Sequence, residues 1–292
     1  MRIALGQIDC RLGNLPYNCT RHEDVLKIAA ESNADLTVFP ELSLTGYRLR
    51  SNIHRAMLTD NDFLHNCGKV SSVLQEGTFA TFGYVEVSER SVLHNSTVIL
   101  ESGNDQPIFR HRKVYLPTYG MFEEARYARP GLRIRTIDLT MRDGETWRIG
   151  ILCCEDAWHS TAWAIMQAYG ADLIIVPSAS PGRGVESDRL GSQKSWYGIL
   201  STHAELSGCW VAYCNRVGFE DDIHFWGGSS IFAPTGEMTA QAGLMDEETL
   251  IHDISRRAVT TARISTPIIA DENWDMISRE LNIAMMNKES EN

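Results

Sequence analysis

Paired cysteines are missing from this sequence: the seven cysteines are an odd number, none stands in a CxxC pair, and Cys153 and Cys154 are adjacent. That pattern suits neither a disulfide framework nor a zinc cage, so the thiols are expected to be reduced. Also missing is any uninterrupted apolar run near the roughly 20 residues that span a bilayer. Met1 to Gln7 reads as a strand and lacks the basic region, apolar stretch and cleavage site of a signal peptide. Together these absences lead to the expectation of a soluble, cytoplasmic protein with no membrane partner. Positive charge is scarce as well. With 27 Lys and Arg against 38 Asp and Glu, the net charge is −11, which argues against a broad nucleic-acid surface, because phosphate binding needs clustered cations. No metal site is expected. Asp221-Asp222 and Asp246-Glu247-Glu248 lack the Gly, Asn and bidentate-Glu spacing of a calcium loop and read as solvated turns.

What is present is a globular composition, 43% hydrophobic and 22% charged, enough for a substantial core. Apolar runs alternate with amphipathic helices. Strands are expected at Arg2 to Ile8, Asp35 to Pro40, Thr78 to Val87, Ser96 to Glu101, Trp147 to Cys153, Ala171 to Pro177 and Cys209 to Asn215. Helices are expected at Asn18 to Ser32, Trp158 to Tyr169 and Ser187 to Ser207. Strands Ser229 to Phe232 and Thr249 to Ile254 are expected to pair around a Pro234-Thr235-Gly236 turn. No linker or repeat divides the pattern, so residues 1–285 read as one α/β domain and 286–292 as a polar, frayed tail.

Three reactive side chains stand where apolar runs meet loops. Glu41 follows Leu36-Thr37-Val38-Phe39-Pro40, Lys113 begins Val114-Tyr115-Leu116-Pro117, and Cys154 ends Gly150-Ile151-Leu152-Cys153. Ligands collect beyond the carboxyl ends of strands in α/β sheets. The three types fit one chemistry: a thiol needs a base or a positive neighbour to attack, and Glu41 and Lys113 supply one of each. Lys113 and the backbone N–H of Glu155 would stabilise the oxyanion of a tetrahedral intermediate. Ser180 and Arg183, beyond the strand Leu173 to Val176, are candidates to contact a substrate carboxylate. His159 and His203 raise a rival Cys-His arrangement, although His159 reads better as a capping or surface residue. Asp156 reads as structural, holding the turn after Cys154 through backbone hydrogen bonds.

In order, the chain carries Phe39-Pro40-Glu41-Leu42-Ser43-Leu44-Thr45-Gly46-Tyr47, Arg112-Lys113-Val114-Tyr115-Leu116-Pro117 and Gly150-Ile151-Leu152-Cys153-Cys154-Glu155-Asp156. These blocks resemble the three signatures of the nitrilase, or carbon–nitrogen hydrolase, superfamily. Tyr119 to Tyr127, Asn215-Arg216-Val217-Gly218 and Gly227-Gly228-Ser229-Ser230 extend the resemblance over nearly the whole chain. It implies Cys154, four residues after Gly150 and two before Asp156, as nucleophile, with Cys153 turned into the sheet. Glu41 is implied as general base, Lys113 as transition-state stabiliser and Glu124 as a second glutamate that positions the substrate. Tyr47 matches a pocket tyrosine of the glutaminase members.

The resemblance further implies an α-β-β-α four-layer sandwich that dimerises into an eight-layer assembly, and hydrolysis of a small-molecule amide through a thioester without cofactor or metal. The wording is nearest to the glutaminase domains of NAD synthetases, but no ATP-using domain follows within the 292 residues, so a stand-alone amidase is expected. Ser178 to Gly184 departs from the substrate loop of those glutaminases. Nitrile or N-carbamoyl amine hydrolysis, and an ammonia-donating subunit of a two-protein assembly, use the same residues and stay open.

Overall fold

The computed structural model describes residues 1–50, 53–59, 61–63, 72–104, 106–186 and 189–290. Its strands, in chain order, are β1 (Arg2–Gln7), β2 (Leu36–Val38), β3 (Phe79–Val87), β4 (Leu93–Glu101), β5 (Phe109–Arg112), β6 (Thr136–Thr140), β7 (Thr146–Ile151) and β8 (Leu173–Ser178). They continue with β9 (Val185–Glu186), β10 (Arg189–Leu190), β11 (Trp210–Asn215), β12 (Val217–Glu220), β13 (Ile223–Trp226), β14 (Ser230–Phe232), β15 (Met238–Gln241) and β16 (Glu248–Asp253). Two six-stranded sheets result, ordered β16-β1-β2-β3-β4-β5 and β15-β14-β11-β8-β7-β6.

Side-chain alternation with period two explains the layers. Ile3, Leu5, Leu36 and Val38 of the first sheet share one buried cluster with Ile149, Ile151, Leu173 and Ile175 of the second, so these faces pack on each other. The intervening residues face outward. Ile174, Val176, Val211 and Tyr213 meet Trp163 and Met166 of helix Ser160–Ala168, and Trp196 and Leu200 of helix Gly191–Ser207. Across the molecule Ala80, Phe82, Val98 and Leu100 meet Val25 and Leu26 of helix Leu15–Glu31. The expected α-β-β-α sandwich is the observed architecture. Its core strands are apolar on both faces, as buried parallel strands must be, and β7, β8 and β11 are parallel neighbours. Truncating a fully buried residue such as Ile151 to alanine should cost about 2–5 kcal/mol.

The structure differs from expectation in places with physical causes. Helix Leu15–Glu31 starts three residues early because the Asn14 side chain accepts from the Tyr17 N–H and Pro16 fits the first turn. The Pro234-Thr235-Gly236 turn does not pair Ser230–Phe232 with the last strand. It returns the chain into β15, which pairs with β14, while β16 crosses to the first sheet beside β1. The helix expected from Ser187 begins at Gly191, because Arg189 and Leu190 pair with Glu186 and Val185; Ser187 and Asp188 lie outside the described residues. The tail expected to fray at 286 continues helix Trp274–Ser290, a segment free of glycine and proline. Asp221 and Asp222 are exposed at the β12–β13 turn, and Asp246 and Glu247 are exposed in the loop before β16, as expected of solvated turns, whereas Glu248, also exposed, is the first residue of β16 and pairs with Gln7.

Candidate active site

The expected residues sit at the ends of β2, β5, β7 and β8. Past β2 the chain bends over β3 to reach Glu41, and this crossing depends on Gly83. A Cβ there would lie 2.5 Å from the Leu42 N and 2.8 Å from the Pro40 O. Leu44 N–H bonds the Gly83 carbonyl at 2.9 Å and fixes the bend. Glu41 is buried, with no carboxylate oxygen unmatched. Oε1 accepts from Lys113 Nζ at 2.7 Å and Asn95 Nδ2 at 2.8 Å, and Oε2 accepts from the Ala179 N–H at 3.0 Å. Since Ala179 follows β8, this carboxylate joins the two sheets.

Lys113 follows β5, its N–H bonded to the Asn95 carbonyl at 2.8 Å. Its side chain is 0% exposed. The ammonium donates to Glu41 Oε1 and to Glu124 Oε1, each at 2.7 Å. Desolvation alone would lower its pKa, but Glu124 and Glu41 outweigh that and hold the pKa well above its ordinary value. Lys113 is therefore a fixed cation. Glu124, at the start of the short helix Glu124–Tyr127, also accepts from Tyr47 Oη at 2.5 Å and from Asn95 Nδ2 at 3.3 Å. Burial raises the pKa of its carboxyl group against the opposing pull of Lys113.

Tyr47 is steered by a pair in the hairpin β12–β13, two strands that sequence patterning did not reveal. Glu220 accepts from the Tyr47 and Arg48 N–H groups at 3.1 and 2.8 Å and is itself paired with the buried Arg216 guanidinium. Phe122 and Phe225 meet the Tyr47 ring edge-on.

Cys154 opens a 3-10 helix, Cys154–Trp158, directly after β7 and has φ of 47°. A non-glycine residue there carries strain of about 1–3 kcal/mol, which a rigid surround must hold. Asp156 is that surround. Fully buried, it accepts from the Val114 and Tyr115 N–H groups at 2.9 Å each, from the Cys153 N–H at 3.1 Å, and bonds His111 Nε2 at 2.7 Å. The expected structural role of Asp156 is present and wider than the turn alone. Cys153 is buried and caps this helix, its carbonyl accepting the Asp156 N–H at 3.0 Å. Cys154 is 8% exposed. Burial first, then the charge of Glu41, raises its pKa well above the usual thiol value, and Lys113 opposes both.

Other expected residues lie nearby with differing surroundings. The Glu155 side chain accepts from Tyr119 Oη at 2.9 Å, and burial together with this contact pushes the phenol up to about 12. Arg183 lies half-buried with its guanidinium 5.0 Å from the Phe122 ring centroid. Ser180 is buried, its hydroxyl oxygen accepting from the indoles of Trp196 at 2.8 Å and Trp226 at 3.4 Å, a framework position. His159 stacks on Tyr115 and His203 on Trp163. Asn95 was missed in the sequence. Its only signal is a polar stretch, His94-Asn95-Ser96-Thr97, running into an apolar strand. Among the described residues no cluster of His, Cys, Asp or Glu could hold a metal, and no helix is long and apolar enough to cross a membrane.

A buried lysine shared by two glutamates, next to a cysteine on a strained strand-to-helix turn between two stacked sheets, defines a class of α/β site built around a thiol. Residues 2–264 match the model of the carbon-nitrogen hydrolase family, and the chain belongs to that family. It is 29% identical over 262 residues to the glutamine-dependent NAD(+) synthetase of Thermotoga maritima, a match covering 87% of this chain and 42% of that protein. The chain thus spans less than half the length of such relatives. It is 28% identical over 283 residues to a Pseudomonas protegens protein described as a hydrolase in the pqqF 5' region, covering 96% and 92% of the two chains. An amidase from Nesterenkonia sp. AN1, a mutant solved with the acetamide moiety of fluoroacetamide on its active-site cysteine, shares the fold. The TM-score is 0.78 at 21% identity, and 96% of each chain is covered.

Proposed function

We propose that the chain is an amidase that hydrolyses a small-molecule amide to a carboxylate and ammonia or an amine through a thioester on Cys154. The observation that carries this reading is the Lys113 ammonium held at 2.7 Å from both Glu41 and Glu124 in a fully buried site, electrostatically coupled to the Cys154 sulfur. Because the thiol pKa is raised, the resting nucleophile is the neutral thiol. Glu41 takes the Sγ proton as sulfur attacks the amide carbon. Lys113 and the Glu155 N–H stabilise the oxyanion; one such donor is commonly worth about 2.7–4 kcal/mol. Glu41 then passes the proton to the departing nitrogen as the carbon–nitrogen bond breaks. Water, deprotonated by the same carboxylate, attacks the thioester and releases the acid and the thiol. Glu124, fixed by Tyr47 and Asn95, orients the amide, with Arg183 at the rim; Ser180 serves the framework.

A second reading is favoured by the likeness to a glutamine-dependent synthetase over 87% of this chain: the amide is glutamine and its ammonia is passed to a synthetase partner. Measuring ammonia release by the purified chain from simple amides, glutamine, nitriles and N-carbamoyl amines tests both. Turnover of simple amides without a partner supports the first reading; turnover of glutamine only on adding a synthetase supports the second. Turnover of nitriles or carbamoyl compounds alone would contradict both. We further propose a cytoplasmic homodimer formed through the outer helices, supported by exposed Ile165 and Leu206 on them. Light scattering at the mass of one chain would contradict it.

A further inference from the structure

The chain is acidic overall, yet one groove at the free edge of the first sheet gathers five arginines, Arg90, Arg110, Arg112, Arg133 and Arg135. Arg110 and Arg112 stand two residues apart on β5 and so share a face. Arg90 lies in the turn between β3 and β4, and Arg133 and Arg135 lie on the segment leading to β6. Among the described residues no carboxylate lines the groove, which has a volume of about 700 Å³.

Beneath it lies Glu86, its side chain 1% exposed. It accepts from Arg112 Nε at 2.9 Å, from Arg110 Nη1 at 3.1 Å and from Ser96 Oγ at 2.6 Å. One buried carboxylate therefore helps to fix two guanidinium groups in place, and among the described residues the arginines outnumber it and leave the groove net positive. Glu89 lines only the adjoining cleft. Arg90, Arg133 and Arg135 are exposed and make no ion pair among the described residues.

Glu86 offsets one of the five charges, and the exposed Arg90, Arg133 and Arg135 on the same face repel unless a further anion joins them. All five are arginines, and none is lysine. The planar fork of a guanidinium matches two oxygens of a phosphate at once, so the choice favours phosphate recognition over diffuse attraction. The volume suits a small molecule, since ligand sites are commonly about 300–1,000 Å³. A net charge of −11 disfavours a long polyanion, which would feel the repulsive remainder of the surface. Val92 and the 94% exposed Leu132 form an apolar margin for the uncharged part of such a ligand. Lys113 directly follows Arg112, but its ammonium is buried against Glu41 and Glu124 and it does not line the groove.

We propose that this groove binds a small ligand carrying two or more linked phosphate groups, of the nucleoside di- or triphosphate class. Calorimetric titration of the full chain with ATP, pyrophosphate, orthophosphate and a decamer of single-stranded RNA at about 0.1 M salt, an ionic strength that leaves short-range charge contacts intact, tests it. ATP and pyrophosphate should saturate one site, and orthophosphate should bind at least ~10-fold more weakly, having fewer oxygens to engage the forks. Equal binding of ATP and pyrophosphate would assign recognition to the phosphates, and tighter ATP binding would add the apolar margin. The exposed double variant Arg133→Gln/Arg135→Gln should bind both at least ~10-fold more weakly with unchanged melting temperature and turnover. Absence of saturable binding, equal binding by the variant, or RNA bound more tightly than ATP would overturn the proposal.

Discussion

His111 Nε2 and Asp156 Oδ2 lie 2.7 Å apart in the core, tying the strand that leads into Lys113 to the turn that bears Cys154. The other Asp156 oxygen takes both N–H groups that follow Lys113. Replacing Asp156 by alanine strands these buried donors at about 1–3 kcal/mol each, so the loss should exceed ~3 kcal/mol. In a chain of this size that is a fall in melting temperature of at least ~6 °C, read by thermal unfolding. An unchanged melting temperature would show that the two segments hold their places independently.

Asn95 should matter to rate more than to binding. Its amide bridges Glu41 and Glu124, whereas Glu41 keeps its contacts with Lys113 and Ala179 without it. Asn95→Ala should lower kcat roughly 10-fold through misplacement of the base, with a smaller change in KM. Steady-state kinetics on the best amide substrate decides this.

Lys113→Arg should remain folded by circular dichroism yet lose at least ~100-fold in kcat, the scale of one lost transition-state donor. The ammonium fills a site with no exposed surface between two carboxylates, where the longer planar fork cannot place its charge on the same point. Near-parental turnover would reduce the requirement to positive charge alone.

The pH dependence of thiol alkylation carries a sign. Burial and Glu41 raise the Cys154 pKa, so alkylation by iodoacetamide should climb only on the alkaline side of the ordinary thiol range. Glu41→Gln removes a negative neighbour, which lowers the thiol pKa and shifts the alkylation profile to lower pH. Turnover falls in the same variant, by about a hundred- to ten-thousandfold. A profile shifted to higher pH would contradict the assigned electrostatics.

Much of this site was legible because its groups stand where apolar strands stop: Glu41 past Leu36 to Val38, Cys154 past Ile149 to Ile151, and Lys113 at the edge of a patterned run. Continuous apolar runs likewise revealed the central strands. Asn95 escaped because a polar residue inside a strand has no periodicity of its own, and its role comes from side-chain contacts with Glu41 and Glu124, which lie far away in sequence. The edge strand β5, Phe109-Arg110-His111-Arg112, is almost wholly polar and could not be told from a loop. The partner of β14 was misread because a local turn signal says which strands are near in sequence, whereas β16 is placed by burial against β1. Ser180 was placed near substrate by its position after β8, but the indoles that bind it come from distant segments.

The central claim is that Cys154, on its strained turn, forms the covalent intermediate while Cys153 is committed to the helix cap. Intact-mass spectrometry after mixing with fluoroacetamide tests it most directly, comparing the parent chain with Cys154→Ala and Cys153→Ala. The parent and Cys153→Ala should each gain one acetamide moiety, and Cys154→Ala should gain none. An adduct retained in Cys154→Ala and lost in Cys153→Ala would contradict the assignment.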